Sequence, residues 1–196
     1  MIIYLVLAAA YLVGSIPFGY IITKMLSKDD IRGLGSGNIG ATNVLRVLGW
    51  RAAAPVFLLD ILKGVVSVLL AKAVSDISYL HIAAGLLAMI GHSFPLFLGF
   101  KGGKAAATGI GVLAALSLPV TLVLIGLAAL IVAITRYVSL GSIIGSLTAP
   151  LLFWYFGYDF AYILFGLAMA ILVTARHHAN IKRLLNGTES KLGRKG

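Results

Sequence analysis

No cysteine occurs among the 196 residues of this chain, and charged residues make up only 11% of it, six of them acidic. The first absence excludes a disulfide framework, a thiolate nucleophile and a zinc–cysteine site. The sequence also shows no internal repeat, which argues against the inverted-repeat architecture of many transporters. A Ser-His-Asp set is not evident either, since Ser36 sits among amides and glycines without a local base. The first apolar run, Ile2 to Ile22, lacks a basic leading segment and a small-residue cleavage site, and Pro17 and Gly19 lie inside it. It is expected to be a retained span.

Apolar residues are what the chain has in excess. They make up 60% of it, with a mean hydropathy of +1.03, outside the range of a soluble domain. The expectation is an all-α integral membrane protein, one polytopic domain over residues 1–196. Runs suited to crossing lie at about 2–23, 52–74, 79–98, 105–135, 139–157 and 160–178. The fourth is too long for one helix. Dividing it near Leu116 to Thr121, at Ser117 and Pro119, predicts two short helices of about 15 residues each, and so seven transmembrane helical segments.

Net charge is +10, but the bases flank apolar runs instead of forming a basic face, so nucleic acid is not the expected partner. Lys24, Lys28, Arg32, Arg46, Arg51, Lys101, Lys104, Arg136 and the six bases from Arg176 onward fall on what would be one side, whereas the connectors at Ser75 to Ser78 and Gly157 to Asp159 carry no base. The positive-inside rule then places the N-terminus outside and the C-terminus in the cytoplasm.

Three polar islands lie on that cytoplasmic side: GLGSGNIGATNVLRVLG (Gly33 to Gly49), GHSFPLFLGFKGGKAAATG (Gly91 to Gly109) and RHHANIKRLLNGTE (Arg176 to Glu189). Glycine lets backbone N–H groups approach an anion, amides and hydroxyls add neutral hydrogen bonds, and Lys and Arg add charge. Gly35, Gly37 and Gly40 spell G-x-G-x-x-G, yet no strand precedes them and no βαβ unit follows, so no dinucleotide site is implied. KGGK at Lys101 to Lys104 likewise fails as a P-loop, because Ala105 follows the lysine where Ser or Thr is needed.

In the first island a helix starting near Ile39 to Thr42 would aim its N–H groups at an anion, with Gly37, Gly40, Ser36, Asn38, Thr42 and Asn43 nearby and Arg46 a turn further on. In the second, Gly102 and Gly103 before Lys104 read as another helix-terminus anion site, Thr108 lies one turn beyond, and His92 is a supporting residue. In the third, His177 and Asn180 share a helix face at i, i+3 and Arg183 continues it, while His178 faces elsewhere. Asp60 and Lys63, also i, i+3 but within a span, are expected to face the bundle and pair, either structurally or in support of the site. A loop built for tight packing, a topogenic basic turn and an amphipathic helix on lipid headgroups are the plainer readings of the three islands.

The islands, in this order, closely resemble those of the PlsY family of bacterial membrane acyltransferases. GSGNIGATNVLRVLG corresponds to the first family motif, with DILKG following at Asp60 to Gly64. GHSFPLFLGFKGGKAAATGIGV corresponds to the second and RHHANIKRLLNGTE to the third. The resemblance implies a multi-pass enzyme of the bacterial plasma (inner) membrane with its active site facing the cytoplasm. Its implied substrates are acyl phosphate and glycerol 3-phosphate, its product is lysophosphatidic acid, and neither acyl-CoA nor acyl carrier protein is the donor. Membrane lipids are the surroundings, and no metal or other cofactor is expected.

The residues agree with that chemistry. Two phosphate-bearing substrates explain several anion cradles, and an acyl tail explains their place at a membrane border. The pairing of a His with an Asp five residues later, used as a general base by soluble acyltransferases, is missing: the fifth residue after His81, His92, His177 and His178 is Leu86, Phe97, Lys182 and Arg183. Direct attack of the glycerol hydroxyl on an already activated anhydride is therefore expected, carried by positioning and charge stabilisation. Arg46 and Lys104 are expected to bind phosphates and Ser36, Asn38, Thr42 and Asn43 to orient them. Asn180 is expected to help select glycerol 3-phosphate, Glu189 to support, and His177 to be a weakened base and a hydrogen-bond donor to an anion. A transporter of a phosphorylated solute would share the anion sites, but it would carry polar residues through the membrane depth. A lipid-binding scaffold would leave the amides of the first island idle.

Overall fold

The computed structural model describes residues 1–193. Arg194 and Lys195, counted in the basic flank, lie outside the described residues. Every regular element among the described residues is helical, and the chain divides into two compact units, Met1–Ala115 and Leu116–Gly196.

In the first unit the opening span is broken. Helix α1 (Ile2–Ser15) ends where Pro17 withholds an N–H and pushes Ile16 to an extended conformation, and α2 (Phe18–Ser27) resumes the direction of the chain. The Ile16 carbonyl at this break accepts from the Phe18 N–H at 3.2 Å and from Lys63 Nζ at 2.9 Å. Helix α3 (Ala41–Leu48) starts inside the expected window and α4 (Trp50–Lys72) follows after Gly49, which sits at φ +80. Helices α5 (Ser78–Ser93) and α6 (Ala106–Leu116) complete the unit.

Glycines set how closely these helices approach. A Cβ on Gly14 of α1 would overlap the backbone at Ala88 of α5, and one on Gly91 of α5 would overlap the Tyr11 carbonyl. Gly64 of α4 meets the Thr108 carbonyl of α6 and Gly111 of α6 meets that of Ile61, again without room for a methyl. Such small-residue contacts bring helices together where apolar burial gives no preference for protein over lipid. At the end away from the islands, Lys72 Nζ donates to the Ala115 carbonyl at 2.6 Å, so α4 and α6 run side by side in the same direction.

In the second unit, α7 (Leu118–Thr135), α8 (Val138–Tyr155) and α9 (Phe160–Arg176) follow in antiparallel succession, and the short α10 (His178–Leu185) leaves the end of α9 at a bend. Ser117 caps α7 by accepting from the Val120 N–H, and its hydroxyl lies 2.7 Å from that of Tyr158. Phe153 anchors an aromatic cluster with Tyr158, Tyr162 and Phe165.

The long apolar run does break at Ser117, but into unequal parts of 11 and 18 residues instead of two short helices. Pro119 favours the first turn of a helix, so α7 begins just before it and takes the longer share. All seven expected segments are helical. By length and apolarity five of them qualify as spans, residues 2–27, 50–72, 78–98, 118–135 and 138–155. The α9–α10 pair, bent by 63°, makes a sixth when taken together, and α6 is the short apolar helix left over.

Candidate active site

The first island is a loop stitched to the helix that follows it. Asn43, 2% exposed in the first turn of α3, donates through Nδ2 to the carbonyls of Leu34 (3.0 Å) and Asn38 (2.9 Å), and its Oδ1 accepts from the Ser36 N–H at 2.8 Å. Asn38 Oδ1 accepts from the Gly40 N–H at 2.8 Å. Gly35 and Gly37 take φ values of +57 and +70, which only glycine adopts readily. The two amides expected to orient phosphate thus also hold the loop, Asn43 through Oδ1 and Nδ2 and Asn38 through Oδ1. A short side chain that both donates and accepts can satisfy loop groups of both kinds.

What the loop leaves open is Ser36, Thr42, Arg46 and the start of α3. Ser36 and Arg46 are exposed and Thr42 is half-buried. Gly40 at the N-cap supplies no side-chain cap to the first amides of α3. Upstream, Asp30 caps the turn Ile31–Gly33 and binds the Arg32 guanidinium at 2.6–3.1 Å. These hydrogen bonds, on the side chain first and the backbone second, lower the Asp30 carboxyl to about 2.

The second island meets the first through Leu98, which packs on the cluster of Ile31, Ile39, Val44 and Val56. Its glycines lie against His92. The Gly103 N–H donates to the His92 carbonyl at 3.0 Å. A Cβ on Gly103 would overlap the His92 imidazole, and one on Gly102 would overlap the His92 carbonyl and the Pro95 ring. The pair exists so that the backbone can lie on His92. His92 is 4% exposed, and its Nδ1 lies 3.5 Å from Asp60 Oδ1, the oxygen that Lys63 Nζ reaches at 2.8 Å. Asp60 and Lys63 therefore pair as expected, and His92 faces the oxygen they share. Lys104 is half-buried just before α6. Thr108 is buried in the first turn of α6.

In the second unit the third island gathers on Glu189. Glu189 Oε1 accepts from Ser139 Oγ at 2.8 Å and from Asn180 Nδ2 at 2.6 Å, and Oε2 accepts from Arg183 Nε at 2.6 Å. Burial would raise this carboxyl, but the hydrogen bonds from Asn180, Ser139 and Arg183 and the guanidinium charge outweigh it and hold the group below the usual glutamate range. Asn180 and Arg183 thus have an intramolecular role that their spacing alone did not show. The chain also bends at His177, which caps α10 instead of continuing α9, yet His177 and Asn180 are both buried and His178 is exposed, as the i, i+3 reading requires. His177 Nδ1 lies 2.8 Å from the Val173 carbonyl. A carbonyl only accepts, so Nδ1 carries the proton and Nε2 is the acceptor of the neutral ring. The tail is fastened by Leu192 N–H to the Arg136 carbonyl (2.7 Å) and Arg136 Nε to the Leu192 carbonyl (3.1 Å). Ser139 went unnoticed in the sequence, where nothing local marks it as a partner of Glu189.

Comparison with known proteins adds to this geometry. A sequence profile described as glycerol-3-phosphate acyltransferase matches residues 4–187. A glycerol-3-phosphate acyltransferase of Thermoanaerobacter pseudethanolicus is 50% identical over 194 residues, covering 98% of this chain and 98% of that protein. One from Halalkalibacterium halodurans is 49% identical over 199 residues, covering 98% and 96%. The crystal structure of PlsY, an integral membrane glycerol 3-phosphate acyltransferase, in its glycerol 3-phosphate form has a TM-score of 0.93 at 41% identity, over 97% of this chain and 96% of that one. Its lysophosphatidic acid form has a TM-score of 0.90 at 40% identity, over 97% and 95%.

Proposed function

The chain belongs to the glycerol-3-phosphate acyltransferase family of integral membrane enzymes in phospholipid biosynthesis, and from that premise we propose that its donor is an acyl phosphate and that transfer is direct. The hydroxyl oxygen at carbon 1 of glycerol 3-phosphate attacks the acyl carbonyl and the carbonyl–phosphate bond breaks. Inorganic phosphate leaves with the electron pair and takes the hydroxyl proton on one of its own oxygens. The product is lysophosphatidic acid, and no acyl-enzyme forms. The observation that carries this reading is that two helix starts suit two phosphates: the amides of α3, which have no side-chain cap and Arg46 a turn further on, and the start of α6, with Lys104 just before it. Two such sites fit two phosphate-bearing substrates, and an acyl phosphate needs no acyl-enzyme because its leaving group is already activated.

In this mechanism Arg46 and the uncapped start of α3 receive one phosphate and Lys104 provides charge for phosphate at the start of α6, with Ser36 and Thr42 adding hydroxyl contacts. His177, fixed in one tautomer, orients the acceptor through Nε2. Asn43 and Asn38 act through the loop, and Asn180 and Arg183 act through Glu189. The family profile runs across both compact units, which supports one membrane catalytic domain. The basic flanks support seven crossings, an N-terminus outside and islands facing the cytoplasm from the bacterial inner membrane.

Turnover of the purified protein in lipid mesophase, with a long-chain acyl phosphate and acyl-CoA as parallel donors, tests the donor. Equal release of phosphate and lysophosphatidic acid from acyl phosphate alone is expected. Product from acyl-CoA would overturn it. His177→Gln is expected to keep most of kcat, within about tenfold, because the proton goes to phosphate. A loss of several orders in kcat at unchanged KM would make His177 the base.

A further inference from the structure

The Asp60–Lys63–His92 cluster lies inside the first unit and no step of the mechanism uses it. We propose that Asp60 is a positioning residue for the reaction, acting through His92 to hold the backbone on which Lys104 stands. The inference rests on the proposed role of Lys104 in binding phosphate.

Each link is a contact between different elements. Lys63 ties Asp60 to the broken carbonyl of Ile16, so the carboxylate is fixed with respect to the α1–α2 break as well as its own helix. Asp60 Oδ1 faces His92 Nδ1 across 3.5 Å, from α4 to the end of α5. The imidazole and carbonyl of His92 then form the surface on which Gly103 lies. Lys104 follows Gly103 directly, and Ala105 follows Lys104 at φ +59 with no exposed surface. A non-glycine residue holds such a backbone only where its neighbours over-determine it. Lys104 is therefore set between two fixed points, Gly103 on the histidine and Ala105 in the left-handed region.

Helix α4 controls the other side of the same lysine. Gly64, one residue after Lys63, contacts the Thr108 carbonyl, and Gly111 contacts that of Ile61. One helix thus fixes both the loop before Lys104 and the helix after it. A purely structural ion pair would need neither the imidazole nor the glycine laid against it.

The test is Asp60→Asn, which keeps the shape and removes the charge, measured for Tm, kcat and both KM values. The expected result is a folded enzyme with KM for one phosphate substrate raised about tenfold, because a displaced cation loses binding to a phosphate. In a Lys104→Gln background the same substitution is expected to change kcat/KM by less than about twofold, since its effect passes through the lysine. A lower Tm with unchanged kinetics, or an equal loss in both backgrounds, would overturn the proposal. Should Asp60→Asn not fold, His92→Gln is expected to give the same rise in KM, and unchanged KM there would overturn it. Wild-type turnover with each donor, run alongside, separates this outcome from failure of the donor assignment.

Discussion

The hub of the first island is a neutral amide and the hub of the third is a carboxylate. Asn43 both donates and accepts, so it stitches backbone carbonyls and an N–H into one loop. Glu189 only accepts, so it gathers donors: a hydroxyl, an amide and a guanidinium. The amide shapes a loop whose open groups are proposed to meet substrate, whereas the carboxylate ties a helix, a tail and Ser139 of α8 into one clasp. The chemistry of each hub decides what disturbs it. An amide does not titrate, whereas a carboxylate does when the solution is made acid.

Removing the amide hub is expected to have the largest effect. Asn43→Ala leaves the Leu34 and Asn38 carbonyls and the Ser36 N–H without their partner, at about 1–3 kcal/mol for each group that water does not reach. Displacement of the loop should lower kcat/KM about a hundredfold or more while the protein stays in the membrane. Steady-state kinetics beside thermal unfolding check this, and an active Asn43→Ala enzyme would mean that the loop does not position substrate.

Glu189→Gln is expected to cost less. The carboxamide still accepts from Asn180 or Ser139, but it loses the charge-assisted bond from Arg183, worth about 1.5–3 kcal/mol. Thermal unfolding of the variant should show that loss, with activity falling about tenfold.

Acidification sharpens the contrast between the hubs. The folded Glu189 carboxyl lies below its ordinary value, so its stabilisation is complete above the unfolded value of about 4.3 and is lost as pH falls through the lower folded value. Unfolding temperature measured downward from pH 5 should therefore fall more steeply in the wild type than in Glu189→Gln. Parallel curves would show that Glu189 carries no such linkage. The smallest effect is expected at Asp30→Asn: the carboxylate is held by Arg32 at an exposed turn, and turnover should stay within about twofold.

The features legible in the sequence are those that local chemistry determines. Pro119 marks a helix boundary because proline favours the first turn, and α3 begins inside the expected window, whereas the break at Pro17 was not expected in the first span. The pairing of Asp60 with Lys63 followed from one helical turn and the cost of a lone charge in a span. Long-range partners were not legible. Ser139 and Glu189 are separated by most of α8 and all of α9 and α10, and nothing near either names the other. Gly102 and Gly103 read as an anion cradle because glycine beside lysine has that chemistry, and nothing local showed that their backbone also lies on His92. The same ambiguity affected Asn38 and Asn43, since an amide that can hold a phosphate can equally hold a loop.

Direct transfer can be tested apart from donor choice by incubating the purified enzyme with acyl phosphate and isotopically labelled inorganic phosphate, with glycerol 3-phosphate left out. Direct attack predicts that no label enters the acyl phosphate, because the acyl–phosphate bond breaks only when the acceptor hydroxyl forms its own. Label exchanging into acyl phosphate without acceptor would contradict this and require an acyl group held on the enzyme.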